Sequence, residues 1–377
     1  MFLSLWLGLV LSGGVVLAFN QRSRRAGLAC RVRSALDMKL KPSECSFIVC
    51  PGFGNDEQDY RNPLNLGAEL SFVETLRSEC VENVDVLPIK RSDWLKLLPA
   101  AASNPFAFAK GDIRPDQLYQ FYIQELRRMV NDKVSSSPNT PVVLIGHSAG
   151  GWLARDYMAD GSTLPLEVVG LVTLGTPHSS PETGKVSDDA TRGALRFVDE
   201  NYPGAFLQSS GVVYVSVGGT AVPANETAVK GDPAFFANDA YLAVSGVKVD
   251  QRKGDGVVPL AYTLLQGSTK VVIEGAYHSI QAPNNFWYGG PRGVKKWLPV
   301  ALKEISSSKR FNTLNSQVKE YGVNGGEMGA ATGSIGYSGG LGPWLKDKVG
   351  QSGMRLIGVL GILNYAVFVG KFLLGER

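Results

Sequence analysis

Residues 146–151 read Gly-His-Ser-Ala-Gly-Gly, a serine set between glycines. They follow the apolar run 141–145 and precede residues 152–159, which have helical character. In that context Gly-x-Ser-x-Gly predicts a strand that turns sharply into a helix, with the Ser148 hydroxyl exposed at the tip of the turn. The glycines have a steric reason: the turn is too tight for side chains at the flanking positions. The helix N-terminus that follows favours an anion developing beside it. The chemistry this arrangement serves is nucleophilic attack by Ser148.

A serine nucleophile needs a base, and the chain has three histidines, at 147, 178 and 278. His147 precedes Ser148 on the turn, so its side chain points away from the nucleophile. His178 follows the next apolar run and comes before any plausible acid, which breaks the chain order serine, acid, histidine. It is expected to line the substrate pocket or the hinge of a lid, or to be an ordinary loop histidine. His278 follows the last apolar run and is the expected base. The acid should lie between Ser148 and His278. Asp255, between Gly254 and Gly256, is placed to hold the imidazole in one tautomer and to stabilise the imidazolium. Asp250 and Asp232 compete for that role, and both read better as solvated loop carboxylates. The oxyanion formed during acyl transfer should meet the backbone N–H of Ala149 and one from the loop Cys50-Pro51-Gly52-Phe53-Gly54-Asn55, assigned to Phe53. The competing reading of that loop is a simple tight turn.

These residues need a frame. Apolar runs at 46–50, 83–89, 141–145, 168–174, 212–217 and 270–273 alternate with amphipathic or polar stretches, and 118–134 has helical spacing through Leu118, Phe121, Tyr122, Leu126 and Val130. The pattern predicts an α/β fold with a mostly parallel sheet flanked by helices. With 377 residues, 44% hydrophobic and 19% charged, the chain is neither disordered nor polytopic in a membrane. It suits one domain of about 250 residues with appendages. Residues 1–42 carry seven Lys/Arg against Asp37, so removing that +6 from the overall +4 leaves −2 and excludes a basic nucleic-acid surface on the rest. Cysteines 30, 45, 50 and 80 have no metal-ligand spacing and are too sparse for a disulfide scaffold. No metal or organic cofactor is expected.

The ends read differently. Residues 1–18 have signal-peptide character, and 19–42 are rich in Arg and Ser like a transit peptide. Together they predict a bipartite plastid leader, with plain entry to the secretory pathway or an uncleaved signal anchor as alternatives. The expected catalytic domain is 43–305, followed by a Gly-rich linker at 306–352 and a hydrophobic segment at 353–377 that either associates with a membrane or docks on the domain. Asn225-Glu226-Thr227 is the one N-glycosylation sequon.

The motifs PGFGN (51–55), RSDW (91–94), VVLIGHSAGGWLAR (142–155), VTLGTPH (172–178), GDGVVP (254–259), YHS (277–279) and WYGGP (287–291) resemble, in family order over about 240 residues, α/β-hydrolases of the lipase/esterase type. The similarity is to plant and algal plastid-type enzymes related to the GPI inositol-deacylase-like lipases. Pro51 departs from the histidine that many relatives have before the glycine, which changes how the loop is anchored.

The resemblance implies cleavage of lipid or acyl esters at a membrane surface, through Ser148, His278 and Asp255 and an acyl-enzyme. Deacylation of a lipid-linked inositol in the endoplasmic reticulum is one alternative, and a slow-turnover binding protein on the same fold is another. Transfer to an alcohol instead of water is also open. The stretch 178–208, with Ala194, Leu195, Phe197 and Val198 clustered in it, is either a lid over an acyl pocket or a surface excursion. Phe235-Phe236 either adds to the acyl site or fills the core. Oligomeric state is not legible.

Overall fold

The computed structural model describes residues 41–321 except 66, 160–163, 182–188, 247–252 and 281. The expected leader (1–18 and 19–42) except residues 41–42, Asp250 and the segments from 322 onward, including 353–377, lie outside the described residues. Among the described residues no helix is long and apolar enough to cross a membrane.

Six strands form the central sheet: β1 Ser46–Cys50, β2 Asn83–Val86, β3 Val142–His147, β4 Val168–Leu174, β5 Val213–Gly219 and β6 Thr269–Ile273. Their spatial order is β2-β1-β3-β4-β5-β6, and every neighbouring pair is parallel. The inner strands β1, β3 and β4 are buried along their whole length, which explains why they read as continuous apolar runs instead of alternating ones. Successive residues still face opposite layers. Ile48 and Leu144 join one core, while Phe47, Val49, Val143 and Ile145 join the other.

Helices cover both faces. On the first lie α2 (Gln120–Ser136), α3 (Ala149–Met158) and α4 (Ala194–Asn201), contributing Leu126, Trp152 and Leu195. On the second lie α1 (Phe72–Ser78), α6 (Pro291–Ser307) and α7 (Lys309–Tyr321), contributing Leu76, Trp297 and Leu314. A further helix, α5 (Pro233–Ser245), belongs to the excursion between β5 and β6, beside the two-residue ribbon Val222–Pro223 and Lys253–Gly254.

Three expectations shift. The run 83–89 is a strand only to Val86. Leu87 still donates to Val49 O (2.9 Å), but Ile89 N–H folds back on Leu87 O (2.7 Å) around Pro88, which has no N–H for the ladder. The helix expected at 118–134 is broken at Tyr119, whose ring is buried edge-on against Trp152 with centroids 5.0 Å apart, and restarts at Gln120. The domain also continues past 305. α6 runs to Ser307, and α7 falls where a linker was expected. There Phe311 and Leu314 enter the second core, and the Arg310 guanidinium donates to the carbonyls of Leu164, Pro165 and Leu166. Two apolar residues three apart in a polar stretch are too few to announce a helix before the surface they cover is known.

Candidate active site

Ser148 joins β3 to α3 with φ 52° and ψ −126°, a conformation that a non-glycine residue adopts only when its surroundings hold it there. What holds it is the crossing of strand and helix: a Cβ on Gly146 would lie 2.2 Å from Gly151 Cα. The Ser148 N–H donates to Leu174 O (2.9 Å) at the end of β4, which fixes the turn against the neighbouring strand. Ala149 is the first residue of α3, so its N–H is among those that a helix leaves without an internal acceptor.

The expected acid and base meet. His278 Nδ1 lies 2.7 Å from Asp255 Oδ2, and the His278 backbone N–H donates to Asp255 O (2.9 Å). Because a carboxylate only accepts, Nδ1 carries the proton and Nε2 is left as the basic nitrogen. Asp255 Oδ1 accepts from the N–H groups of Val257 (2.9 Å) and Val258 (2.7 Å), and Oδ2 also accepts from the Tyr288 hydroxyl (2.7 Å). Burial alone would raise the Asp255 carboxyl. The charge and N–H of His278, the Val258 N–H and the Tyr288 hydroxyl outweigh it and hold the group below the usual carboxylate range. Asp232, the described competitor, lies elsewhere: it precedes α5 and accepts from Val229 N–H (3.2 Å).

The end of β4 is open at Gly175, where φ is 59°. A Cβ there would come within 2.7 Å of Tyr288 Cε2, 2.8 Å of Asp255 Oδ2 and 2.9 Å of His278 Nδ1. Only a residue without a side chain lets the three groups converge.

His147, beside Ser148, is engaged on both ring nitrogens. Its Nε2 donates to His278 O (2.9 Å), so Nδ1 is the acceptor for the Tyr60 hydroxyl (2.7 Å), which in turn accepts from Gly52 N–H (3.0 Å). Burial, then the neighbouring His278, push the His147 imidazole down to about 3, so it stays neutral.

The chain of bonds through His147 ties the loop after β1 to the histidine loop. The loop itself lies against Ser148: a Cβ on Gly52 would be 2.9 Å from Ser148 Cβ. It does make a tight turn, with Asn55 N–H on Gly52 O (3.1 Å), and Phe53 sits within that turn with its ring edge-on to Trp94 at 5.0 Å. Pro51 is anchored by the Tyr122 hydroxyl on its carbonyl (2.8 Å), and Asn55 by Trp94 Nε1 on its carbonyl (2.9 Å).

His178 is buried, with Nε2 3.0 Å from Thr173 Oγ1 and Nδ1 3.3 Å from Arg155 Nη1. Burial and then the Arg155 charge hold it well below the ordinary histidine range. Its partner Arg155 is fully buried on α3 and also donates to the carbonyls of His178 (3.5 Å) and Tyr202 (2.5 Å). One guanidinium therefore holds the excursion between β4 and β5 at two points, His178 and Tyr202.

The described part of that excursion is docked. Asp189 accepts from Thr191 N–H, Thr191 hydroxyl and Gly193 N–H, each at 2.7 Å. Arg192 O accepts from Ile113 N–H (2.9 Å), and Ala194, Leu195 and Val198 lie in the first core. Phe197 is half-buried, its ring 6.1 Å from Tyr202. Phe235 and Phe236 stack edge-to-face on α5 at 5.5 Å, with Phe236 exposed.

Sequence reasoning passed over Tyr60, Trp94, Arg155 and Tyr288, and read Tyr122 only as part of a helical face. Trp94 closes the RSDW motif, Arg155 the VVLIGHSAGGWLAR motif, and Tyr288 sits in WYGGP, so the signal was present as motifs without an assigned task. Among the described residues no group of His, Cys, Asp and Glu could hold a metal ion.

A parallel sheet whose third strand turns through a strained serine into a helix, with an acid–histidine pair beyond its later strands, defines the α/β-hydrolase architecture. Within it, residues 107–220 match the family model described as the PGAP1-like alpha/beta domain. The structure is similar to that of the mature lipase BlEst2 from Bacillus licheniformis, with 14% identity, 70% of this chain and 93% of that one covered, and a TM-score of 0.41. It is also similar to the phospholipase PlaB from Legionella pneumophila in complex with thio-NAD, with 15% identity, 73% of this chain and 62% of that one covered, and a TM-score of 0.44. No curated protein matches the chain in sequence.

Proposed function

We propose that the protein is a serine hydrolase that cleaves carboxylic esters of lipids. The observation that carries this reading is the Asp255–His278 contact of 2.7 Å, in a fold where the residue next to His147, whose ring lies 5.0 Å from that of His278, is a serine on a strained turn. Ser148 attacks the ester carbonyl while His278 Nε2 takes its proton, and the imidazolium is stabilised by Asp255. The N–H groups of Phe53 and Ala149 receive the oxyanion. The proton then passes to the leaving alcohol, and water, activated by the same histidine, releases the acid and restores Ser148.

A second reading, deacylation of a lipid-linked inositol, is favoured by the match at 107–220. The hydrophobic segment at 353–377 supports work at a membrane surface, and the leader supports delivery to a plastid, with the endoplasmic reticulum as the alternative.

The test is hydrolysis by the full chain and by Ser148→Ala of galactolipids, phospholipids, triacylglycerol, an acylated inositol lipid and short nitrophenyl esters. Turnover of one bilayer lipid class, lost in the variant, supports the lipase and names its head group. Activity on soluble esters alone reduces the reading to a general esterase. Fluorophosphonate labelling of Ser148 without turnover moves a binding role to the front.

A further inference from the structure

We propose that Tyr288 is a positioning residue that sets how much negative charge Asp255 presents to His278. The inference rests on the serine-hydrolase reading for its kinetic consequence, though its geometry does not depend on it. Among the described residues the Asp255 carboxylate accepts four hydrogen bonds, and they are not divided evenly in kind. Oδ1 faces two backbone N–H groups, from Val257 and Val258, whose position is set by the loop. Oδ2 is shared by His278 Nδ1 and the Tyr288 hydroxyl, both at 2.7 Å. A phenol donating to the same oxygen draws charge away from the imidazole and so opposes formation of the imidazolium.

Tyr288 is built to do this. It is fully buried, its ring stands nearly perpendicular to that of His278 (83°) with centroids 6.5 Å apart, and Trp297 Nε1 donates to its carbonyl (2.9 Å) and fixes its backbone. Gly175 leaves the space through which its ring edge reaches the carboxylate.

The other titratable groups facing this pair leave the task to Tyr288. His147, at the end of β3, is neutral and spends its protons and lone pairs on His278 O and Tyr60. Tyr241, from α5, donates its proton to Val222 O (2.6 Å) and accepts from Gly256 N–H (3.0 Å), so it supports the loop and not the carboxylate. Among the described residues no Lys or Arg pairs with Asp255.

During acylation the Ser148 proton moves to His278 Nε2, and the Tyr288 proton stays on its oxygen. Without the phenol, Oδ2 is more basic and the imidazolium is favoured. The acid limb of the kcat/KM profile of Tyr288→Phe is therefore expected about 0.5–1 pH unit higher than in the wild type, with KM unchanged. A merely structural role would lower the plateau without moving the limb.

The measurement is the pH dependence of ester hydrolysis by the full chain, paired with imidazole NMR titration in a Ser148→Ala background, in which the His278 signal is assigned by its loss in His278→Gln. An upward shift in both supports the proposal. A limb and a titration unmoved within about 0.2 unit in a folded variant overturn it. Wild-type protein that neither turns over esters nor reacts with a fluorophosphonate overturns the hydrolase reading, while the NMR titration still decides on Tyr288. If Tyr288→Phe does not fold, Tyr288→Met takes its place; failure of both assigns the hydroxyl to folding and overturns the proposal.

Discussion

His147 donates its Nε2 proton to the backbone carbonyl of His278 across 2.9 Å, so the residue beside Ser148 holds the loop that carries His278. His147→Phe removes that donor and leaves the Tyr60 hydroxyl without its acceptor. The expected result is a stability loss of about 1–3 kcal/mol and a fall in kcat larger than any change in KM, since the histidine loop is displaced relative to Ser148. Chemical denaturation and steady-state kinetics on one preparation separate the two effects.

The same histidine predicts how stability depends on acid. Its imidazole titrates near 3 in the folded protein against 6.5 when free of the fold, so the unfolded chain binds the extra proton first. This group takes nothing from stability above pH 6.5 and lowers it as pH falls toward 3, by about 1.4 kcal/mol per unit. His147→Gln should flatten that decline. Thermal midpoints between pH 4 and 8 for both proteins measure it, and parallel curves would count against the assignment.

Asp156 on α3 works in the opposite direction. Burial, with Asp116 nearby and only partial compensation from Arg127, raises its carboxyl from 3.8 to about 7. The folded state holds this proton where the unfolded chain has lost it, so the stabilisation present below pH 3.8 disappears as pH rises to 7. Asp156→Asn should raise stability at pH 8 by on the order of 1–3 kcal/mol and change little at pH 4. Calorimetry at the two pH values decides this.

Gly175→Ala puts a methyl group within 2.9 Å of His278 Nδ1 and Asp255 Oδ2 at a φ of 59°. We expect a destabilisation of about 1–3 kcal/mol and loss of nearly all hydrolysis. Fluorophosphonate labelling should slow in parallel, because the group that activates Ser148 has moved. Undiminished labelling would place the acid–base pair elsewhere.

Asn225 lies exposed, its Oδ1 accepting from Thr227 N–H (3.0 Å) and Thr227 hydroxyl (2.8 Å), and leaves its amide nitrogen accessible. Expression through a secretory pathway should therefore yield a glycosylated chain whose mobility shifts on enzymatic deglycosylation and is unchanged in Asn225→Gln. Glycan on the protein from its native source would favour residence in, or passage through, the endoplasmic reticulum.

The strained turn at Ser148 and the contact between His278 and Asp255, which lies between its glycines, were legible because each depends on local chemistry. A tight turn needs glycine, and chain order limits which acid can meet which base. Continuous apolar runs marked the four inner strands closely, since a strand buried on both faces must be apolar throughout, and the edge strand β6, which alternates in exposure, was marked from its second residue. The sixth, β2, was overextended, because whether Leu87 to Ile89 continue the ladder depends on the bend at Pro88. α7 was missed because its two core residues, Phe311 and Leu314, have meaning only once the sheet face beneath them exists.

The sequence by itself determined the turn at Ser148 and the meeting of Asp255 with His278, for those follow from residue type, spacing and the short reach of a turn. The tertiary structure alone decided what surrounds them. Tyr288 stands 33 residues from Asp255 and Tyr60 stands 87 residues from His147. Bonds of that span close only when the sheet brings the strand ends together, and no local rule of spacing records them. The contact between His178 and Arg155 was decided in the same way, by how the excursion packs against α3.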